Sequence, residues 1–364
     1  MSIVAVDAHG GDYAPDEVIK GAIYAAEEYP WIEILLIGVE SLIKPIYLDI
    51  RKKHYKQIKL VNAEEIIEMD EIPSVAVRRK KNSSIHVGLR LVKEKKADAF
   101  FSAGNTGAVM AASKLILRTL NGVDRPAIAT ILPNIKGHAV MLDVGANVDC
   151  KPLHFIQFAI MGSIYANCML GIEKPSIGLL SIGEEEVKGN DLLKTVHQML
   201  KEVDFLNFRG NVEGKELFKG VVDVVLTDGF TGNIALKTSE STAWYISNLL
   251  KQELSRNIIS KFAALLAKPV FSRVKKRADY AEYGGALLIG VNGISIIGHG
   301  SSSELAIKNG IRVAKELVDS KINEKIEKNI LEVFEALKAD KYAMFLRGIR
   351  EKFKNLTGSV TEER

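Results

Sequence analysis

Five short segments of the chain combine Gly with Asp, Asn or Ser, a composition that suits the binding of an anion. They lie at residues 7–12, 104–107, 143–147, 228–233 and 298–302. Glycine lets backbone N–H groups approach a bound anion closely, and a helix that begins after such a turn adds a favourable dipole. One such turn is common in α/β proteins, whereas five exceed what turn geometry alone requires. The pattern predicts a phosphate-type site, with plain structural turns as the alternative.

Residues in and beside these turns are predicted to act on the substrates. The catalytic candidates are Asn105, Thr106, Lys188, Asn233 and His299. The residues predicted to bind phosphate or substrate are Gly10, Gly11, Gly104, Gly107, Asp143, Gly145, Asn147, Gly189, Asp228, Gly229, Thr231, Gly232, Ser301 and Ser302. Structural alternatives stay open, because Asn105 and Thr106 could only cap a helix, and Asp143 and Asn147 could only hold a turn. Lys188 could equally be a solvated surface residue, and His299 could be a core residue.

Several well-known motifs are missing from the sequence. No segment reads as GxGxxG, GxxxxGK[ST] or GxSxG, so dinucleotide, P-loop and hydrolase interpretations lack their signatures. Cys150 and Cys168 are the only cysteines and form no CxxC pair, so a zinc site is not expected and both thiols are interpreted as packing residues. Few aromatic residues are interspersed with the basic ones, which disfavours nucleic-acid binding. We expect neither a metal nor a cofactor.

The elements that position these turns alternate in type along the chain. The predicted strands at residues 2–6, 97–102, 139–142, 177–182 and 221–226 each lead into a turn, and helical patterns alternate with them along the chain. Such alternation is typical of βαβ units, so the predicted fold is α/β, a three-layer sandwich with a mainly parallel sheet. In open parallel sheets ligands bind outside the carboxyl ends of the strands, which is where we expect the turns to gather.

The domain organisation predicted from the sequence is simple. No Pro, Gly or Ser linker divides the chain, so residues 1–320 are expected to form one interleaved catalytic domain, with a helical projection at about 250–277. Residues 321–364 are expected to form a charged helical tail. The chain opens directly on a strand pattern, and we found no apolar run of the ~18–20 residues that a spanning helix needs. A cytoplasmic location is therefore expected.

Net charge is uninformative, but one local charge run is not. The chain carries 49 Lys and Arg against 45 Asp and Glu, a net charge of +4 over 364 residues. Arg78, Arg79, Lys80 and Lys81 are consecutive and stand beside a Ser-rich turn. Such a run is usually a solvated face, but it also suits docking of an acidic partner or of phosphate. Asp7 and Asp12 would repel phosphate and are expected to fix the loops instead.

The turn motifs resemble those of one bacterial enzyme family. Segments 7–15 (DAHGGDYAP) and 102–108 (SAGNTGA) match the phosphate acyltransferase (PlsX) family in order, and so do the segments at 77–84, 125–129, 142–147, 181–190, 227–233, 283–286 and 299–302. Together they cover most of residues 3–315. Two positions depart from the family's pattern: His9 stands where Met is usual, and Tyr13 stands where His is usual. An indispensable acid–base histidine at position 13 is therefore not expected.

The resemblance implies a reaction, a fold and partners. The reaction converts acyl-[acyl carrier protein] and inorganic phosphate into acyl phosphate and free carrier, early in phospholipid synthesis. The implied fold is similar to isocitrate dehydrogenase and phosphotransacetylase, and the implied assembly is a homodimer near a downstream glycerol-3-phosphate acyltransferase. Acidic acyl carrier protein is the partner expected at Arg78 to Lys81. A phosphotransacetylase-like enzyme acting on acyl-coenzyme A and a non-catalytic membrane-surface scaffold are the alternatives.

The residue inventory agrees with direct acyl transfer. Phosphate is already an anionic nucleophile at neutral pH, and the leaving thiol ionises near ~8.5, so neither a covalent intermediate nor a strong general acid is essential. What remains is to position two substrates and to stabilise an oxyanion. Backbone N–H groups, Asn, hydroxyls and one or two cations can do both.

A basic, apolar segment near residues 251–277 predicts a surface contact. It contains eight Lys or Arg and one Glu, and its apolar residues Ile258, Phe262, Leu265 and Leu266 fall at helical spacing until Pro269, where the helix is expected to be interrupted. The segment is too short to span a bilayer but suits peripheral contact with an anionic membrane. The alternative is a dimer-interface or core helix.

Overall fold

One mixed sheet organises the protein. The computed structural model describes residues 1–51, 55–278 and 282–338. Eleven strands form a single sheet in the order β3-β2-β1-β4-β11-β10-β5-β6-β9-β7-β8. The strands are β1 Ser2–Asp7, β2 Ile32–Gly38, β3 Ile58–Asn62, β4 Ala99–Ser102, β5 Ala127–Asn134, β6 Gly137–Leu142, β7 Ser176–Ser181, β8 Asn207–Glu213, β9 Val224–Leu226, β10 Ala286–Ile289 and β11 Ile294–Ile297.

Helices cover both faces of the sheet. They are α1 Asp16–Glu28, α2 Glu40–Ile50, α3 Pro73–Arg79, α4 Ser84–Lys93, α5 Thr106–Ile116, α6 Pro152–Leu170, α7 Asp191–Lys201, α8 Gly229–Ser255, α9 Ile258–Ala278, α10 Glu304–Asp319 and α11 Ile322–Lys338. One apolar core lies between the sheet and α1, α6, α7, α10 and α11. The other lies beneath α3, α4, α5 and the first turns of α8. The predicted three-layer α/β architecture is confirmed.

The sheet is mainly parallel, as predicted, but its two halves run in opposite directions. Strands β3, β2, β1, β4 and β11 are parallel to one another, and so are β6, β9, β7 and β8. Between the halves, β10 is antiparallel to β11 and to β5, and β5 is antiparallel to β6. The carboxyl ends of the two halves therefore lie at opposite edges of the sheet. The expectation of one common edge for all the turns is wrong.

Helix α6 contradicts the expectation that no apolar run is long enough to span a membrane. It has 19 residues and is the one described helix that meets that test of length and composition. Most of it is buried inside the protein, with Phe155, Phe158 and Tyr165 in the core. Its mean polarity is low because it is enclosed by the sheet, α7 and α11.

The predicted tail begins as a core helix. Helix α11 follows α10 closely, and Ile322, Ile326 and Ile330 on it are fully buried against the main core. These residues recur every four positions, so they form one apolar stripe on a helix that is otherwise charged. The boundary predicted at residue 320 therefore does not separate a tail from the domain, because α11 belongs to the main core. Residues 339–364 of the predicted tail lie outside the described residues.

Helices α8 and α9 form a projection that we call the α8–α9 arm (residues 241–274). From Ser241 onward almost every residue of α8 is exposed, and α9 packs chiefly on α8. The helix predicted to break at Pro269 instead continues through it. Pro269 has no N–H to donate, so the carbonyl oxygen one turn earlier lacks its helical hydrogen bond. Because α9 is exposed there, water can bind that oxygen instead.

Candidate active site

Three turns meet at the carboxyl edge of the first half of the sheet. They follow β1, β4 and β11, and they contain Gly10, Gly11, Gly104, Gly107, Ser301 and Ser302. The Ser102 hydroxyl donates to Asp7 Oδ2 at 2.7 Å and accepts from the Gly104 N–H at 3.0 Å. A β-carbon on Gly10 would lie 2.6 Å from the Gly104 nitrogen, so these two turns touch through glycine backbone. The buried Asp7 carboxylate fixes the turns, as predicted.

Asn105 and Thr106 begin α5 at this edge. The Asn105 side chain caps the helix, since its Oδ1 accepts from the Ala108 N–H at 3.0 Å. Its Nδ2 donates to the carbonyl oxygens of Met69 and Glu71. These contacts favour the structural role that the sequence left open. Thr106 is exposed, and its hydroxyl makes no hydrogen bond to any described residue, so its catalytic role stays a prediction.

His299 stands half-exposed in the turn after β11. Its Nδ1 accepts from the Ser301 N–H at 3.2 Å and lies 2.8 Å from the Ser301 hydroxyl. The Ser302 hydroxyl donates to the His299 carbonyl oxygen at 2.6 Å. Burial lowers the pKa of His299, and nearby Lys237 lowers it further, whereas Glu240 and Asp12 oppose the shift. The imidazole is therefore mainly neutral at pH 7.

Asp143 organises the turn after β6, at the opposite edge. Its fully buried carboxylate accepts from the backbone N–H groups of Ile128, Gly145, Ala146 and Asn147, and from Asn147 Nδ2. Burial raises the pKa of the Asp143 carboxyl, while these donors oppose the rise. With both oxygens occupied, the carboxylate serves to shape the turn, and direct contact with phosphate stays a prediction.

Asp228 and the glycines after it place the start of α8 against the Asp143 turn. Asp228 caps α8, because its carboxylate accepts from the N–H and the hydroxyl of Thr231, both at 2.8 Å. The Gly229 N–H donates to the Asn147 carbonyl oxygen at 2.7 Å. A β-carbon on Gly232 would fall 2.0 Å from the Asp143 carbonyl oxygen. Only glycine permits this approach of helix to turn.

Lys188 lies in the loop after β7, at the same edge as the Asp143 turn. It is exposed, and it forms no ion pair with any residue in the described ranges. Its neighbour Gly189 has φ +97°, and a β-carbon there would lie 2.9 Å from the Ser181 hydroxyl. That hydroxyl is buried without a hydrogen-bond partner among the described residues. An uncommitted cation and an unsatisfied hydroxyl therefore share this loop.

Helix α8 bridges the two groups of turns. Only β10 and β5 lie between β11 and β6 in the sheet, so the two groups of turns belong to nearby strands. The side chain of Asn233 lies beside Gly145, since a β-carbon on Gly145 would be 3.9 Å from Asn233 Cγ. Two turns further along α8, Glu240 Oε2 lies 3.9 Å from His299 Nε2. Two of the predicted residues, Asn233 and His299, are therefore connected through α8, although the turns beside them lie at opposite edges.

The thiol nearest this region is unreactive. Cys150 Sγ donates to the Asn147 carbonyl oxygen at 3.6 Å. Burial raises the pKa of Cys150 to about 12, and the charges of Asp143 and Asp228 add to the rise. The thiol is therefore neutral at pH 7, which fits its interpretation as a packing residue. Within the described ranges, His, Cys, Asp and Glu form no group of three that could hold a metal ion.

The two residues that depart from the family's pattern differ in role. His9 Nε2 accepts from the Val39 N–H at 3.0 Å, which ties the first turn to the start of α2. Burial lowers the pKa of His9, so this acceptor is neutral at pH 7. Tyr13 is 59% exposed at the mouth of the same edge.

The basic run covers the end of α3 and the two residues that follow it, next to the start of α5. A β-carbon on Gly107 would meet the Pro73 ring at 2.6 Å, which places α3 beside the first-edge turns. Arg78, Arg79 and Lys81 are exposed and unpaired among the described residues. Lys80 differs, because its ammonium binds the Glu71 carboxylate and the Ile66 carbonyl oxygen. It is turned inward and is a poor candidate for docking.

Sequence reasoning missed Lys237 and Glu240. Both lie on the face of α8 that carries Asn233, four and seven residues further on. That spacing is a helical signal that could have identified them once α8 was recognised as a site helix. Lys237 Nζ binds Glu240 Oε2 at 2.8 Å, directly beside His299.

Comparison with known proteins identifies the family. The profile of the family described as "Fatty acid synthesis protein" matches residues 2–325. The phosphate acyltransferase of Pelotomaculum thermopropionicum is 50% identical over 90% of this chain and 94% of that protein. The chain belongs to this family. The phosphate acyltransferase of Desulfitobacterium hafniense is 51% identical over 90% of this chain and 97% of its own length. As a member of this family, the protein is an acyltransferase.

Solved structures of similar fold support the architecture. A phosphotransacetylase from Streptococcus pyogenes matches with a TM-score of 0.58 at 17% identity, over 89% of this chain and 94% of that one. A phosphotransacetylase from Staphylococcus aureus matches with a TM-score of 0.55 at 14% identity, over 87% and 94%. The family member therefore has the phosphotransacetylase-like fold that the sequence predicted.

Proposed function

We propose that this acyltransferase transfers a long-chain fatty acyl group from acyl-[acyl carrier protein] to inorganic phosphate. A phosphate oxygen attacks the thioester carbonyl carbon, the carbon–sulfur bond breaks, and the carrier thiolate takes a proton from solvent. The products are acyl phosphate and free carrier. No enzyme residue becomes acylated, and no cofactor takes part.

The observation that carries the proposal is that α8 joins the two groups of glycine turns, with Asn233 beside Gly145 and Glu240 3.9 Å from His299. Helix N-termini, which favour bound anions, begin at both groups. The His299 turn supplies a neutral imidazole, and the Lys188 loop supplies a cation without a described ion-pair partner. Backbone N–H groups in the turns can stabilise the oxyanion, and the lysine can hold phosphate. The neutral state of Cys150 supports direct attack over a cysteine intermediate. The sequence relatives named phosphate acyltransferase support phosphate as the acceptor.

Arg78, Arg79 and Lys81 are the proposed docking surface for the acidic carrier protein. They are exposed cations beside the first-edge turns, so a carrier bound there has its thioester near the site. Charge complementarity of this kind raises the association rate and depends on ionic strength. Lys80 is not included, because its charge is already paired with Glu71.

The α8–α9 arm is the proposed contact with a second copy and with an anionic membrane. It exposes large apolar side chains on both helices, among them Trp244, Tyr245, Leu250, Ile258, Phe262, Leu265 and Leu266. A continuous group of exposed large apolar side chains on a single chain is typical of an interaction surface. The basic residues around it suit an anionic surface, so the protein is proposed to act as a homodimer that binds the cytoplasmic membrane peripherally.

The reaction is tested by trapping its product. The purified protein is incubated with long-chain acyl-[acyl carrier protein], phosphate and hydroxylamine, and acyl hydroxamate is measured. Because hydroxylamine also attacks thioesters slowly, the phosphate-dependent fraction is the signal. We expect that signal with the carrier substrate. A signal only from short-chain acyl-coenzyme A would indicate a phosphotransacetylase-like enzyme, and none from any donor would indicate a non-catalytic scaffold.

A further inference from the structure

Glu240 on α8 lies between two groups of the candidate site. Its Oε2 binds Lys237 Nζ at 2.8 Å and lies 3.9 Å from His299 Nε2. The three side chains come from two distant parts of the chain, α8 and the turn after β11. The same carboxylate oxygen therefore holds an ammonium and faces an imidazole edge.

Hydrogen bonding on the other side of the ring fixes which nitrogen carries the proton. The Ser301 backbone N–H donates to His299 Nδ1, and a nitrogen that accepts this bond cannot also carry a proton. The proton of the neutral ring is therefore on Nε2, the nitrogen that faces Glu240. At 3.9 Å the Glu240 carboxylate is too far from Nε2 for a hydrogen bond, but its negative charge favours the tautomer with the proton on that nitrogen.

The Lys237–Glu240 pair also borders a cavity. An open cavity of about 520 Å³ runs along α8 and is lined by Ile234, Lys237, Thr238, Ser241, Thr242 and Tyr245. Lys237 thus lines the cavity while its ammonium is held by Glu240 beside His299. The lining combines apolar surface with a cation and hydroxyls, a combination that suits an acyl thioester next to an anion.

We propose that Glu240 is a positioning residue for acyl transfer. Its carboxylate binds the ammonium of Lys237 and acts through its charge on the Nε2 edge of His299, so that the cation and the imidazole are kept together at the candidate site. Glu240 acts through these two residues and does not itself contact substrate. The inference rests on the proposed function, but half of its test does not require turnover.

A double-mutant cycle measures the action of Glu240 through His299. Glu240→Gln keeps the shape of the side chain and removes its charge, and we expect kcat to fall about 10-fold or more with a smaller change in the phosphate KM. In a His299→Gln background the same change is expected to cost less than about 2-fold, because the residue through which it acts is gone. Glu253→Gln is the matched control, since Glu253 is on the exposed part of the same helix, paired with Arg256. Equal losses in both backgrounds would overturn the proposal.

Titration of His299 supplies the readout that is independent of activity. The protein has 7 His, and His299 is assigned in a histidine-labelled NMR spectrum as the resonance missing from His299→Gln. The charged groups facing it are Lys237, Glu240 and Asp12. Glu240→Gln is expected to lower the His299 pKa and Lys237→Met to raise it, whereas Glu253→Gln leaves it unchanged. A merely structural role of α8 would not produce opposite shifts.

The outcomes separate this inference from the proposed function. If wild-type protein makes no acyl phosphate but the opposite shifts appear, the electrostatic arrangement holds and the reaction assignment fails. If turnover is normal and the shifts are absent or share one sign, the role of Glu240 is wrong. If the circular-dichroism spectrum shows that Glu240→Gln is unfolded, Glu240→Asp is used instead. It keeps the charge one methylene further back and is expected to give a partial loss of kcat.

Discussion

Gly232 on α8 and the carbonyl of Asp143 approach so closely that a β-carbon on the glycine would lie 2.0 Å from the carbonyl oxygen. This contact fixes the start of α8 on the Asp143 turn, and α8 in turn carries Asn233, Lys237 and Glu240 into the site. Because the nearest obstructing atom belongs to the backbone of Asp143, room for a side chain at Gly232 requires movement of the helix or the turn.

Gly232→Ala is therefore expected to reduce both stability and activity. The added methyl group must shift α8 or the turn, and overpacking of this kind costs roughly 1–3 kcal/mol of unfolding free energy. Urea unfolding and the hydroxamate assay measure the two effects. Gly214→Ala is the control, because a β-carbon at Gly214 meets nothing within 4 Å. Unchanged activity in a normally stable Gly232→Ala protein would contradict the importance of this contact.

Replacing Cys150 and Cys168 together by Ala is expected to leave activity within a few-fold of wild type. Burial raises the pKa of Cys150 to about 12, so neither its thiolate nor a thioester intermediate on it is expected at pH 7. The measurement is phosphate-dependent hydroxamate formation by the folded double variant. A loss of ~100-fold or more, about 2.7 kcal/mol in barrier, would refute direct transfer without a cysteine.

Lys188→Ala is expected to raise the phosphate KM, or to lower kcat/KM for phosphate, with little effect on carrier binding. Loss of one charge-assisted contact is worth roughly 1.5–3 kcal/mol, or about 10- to 150-fold. Lys174→Ala is the control, since Lys174 is an exposed lysine near the other end of β7. If both variants show the same phosphate dependence as wild type, Lys188 is a surface residue.

Stability is expected to fall as pH is lowered from 7 to 5.5. Burial lowers the pKa of His86, His9 and His154 in the folded protein, so the unfolded chain binds more protons below its ordinary histidine pKa of about 6.5. The stabilisation is present above that pH and is lost as pH falls toward the lowered folded pKa. Protonation of His86 is expected to cost the most stability, because its Nε2 is buried without a hydrogen-bond partner among the described residues. Urea unfolding of His86→Gln should show a weaker pH dependence, and an unchanged slope would contradict this assignment.

Phe262→Glu combined with Leu265→Glu is expected to abolish salt-sensitive binding to anionic liposomes while soluble activity and dimerisation survive. Both side chains are more than 60% exposed on the arm, so charge there removes apolar contact without disturbing the core. Liposome co-sedimentation and light scattering measure binding and mass. Lys251→Gln with Gln252→Glu is the control, because it changes the charge equally and removes no apolar side chain. A double variant that unfolds or becomes monomeric would place this face inside the assembly.

Local patterns predicted the elements well, but not their relative direction. The strands that begin at Ser2, Ser176 and Gly137 and the helix at Asp16 follow from apolar runs and turn residues. The reversal between the two halves arises from three successive antiparallel pairings, β11 with β10, β10 with β5 and β5 with β6, and of these the pairing of β10 with β5 joins segments that are distant in sequence. Alternation of strands and helices contains no information on that reversal.

For the same reason, the sequence predicted only some of the residues of the candidate site. Glycine turns mark where backbone must approach backbone, so Gly10, Gly232 and their neighbours could be identified from residue type. The partner of His299 could not, because Glu240 is brought to it by the long crossing of α8. Asn105 and Asp143 show why residue type alone leaves alternatives open, since residues suited to anion sites are also those that best cap helices and close turns.

Helix α8 also connects the exposed arm to the candidate site as one continuous helix. It has 27 residues, about 40 Å, with no Gly or Pro between Asn233 and Ser255 to absorb a bend. Its first turn packs tightly against the Asp143 turn at Gly232, and its C-terminal part belongs to the apolar α8–α9 arm. A tilt of about 5° about Gly232 displaces Glu240 by about 1 Å, a distance that can change a catalytic rate ~100-fold. A partner that binds the arm is therefore expected to change the alignment of Glu240 with His299 as well.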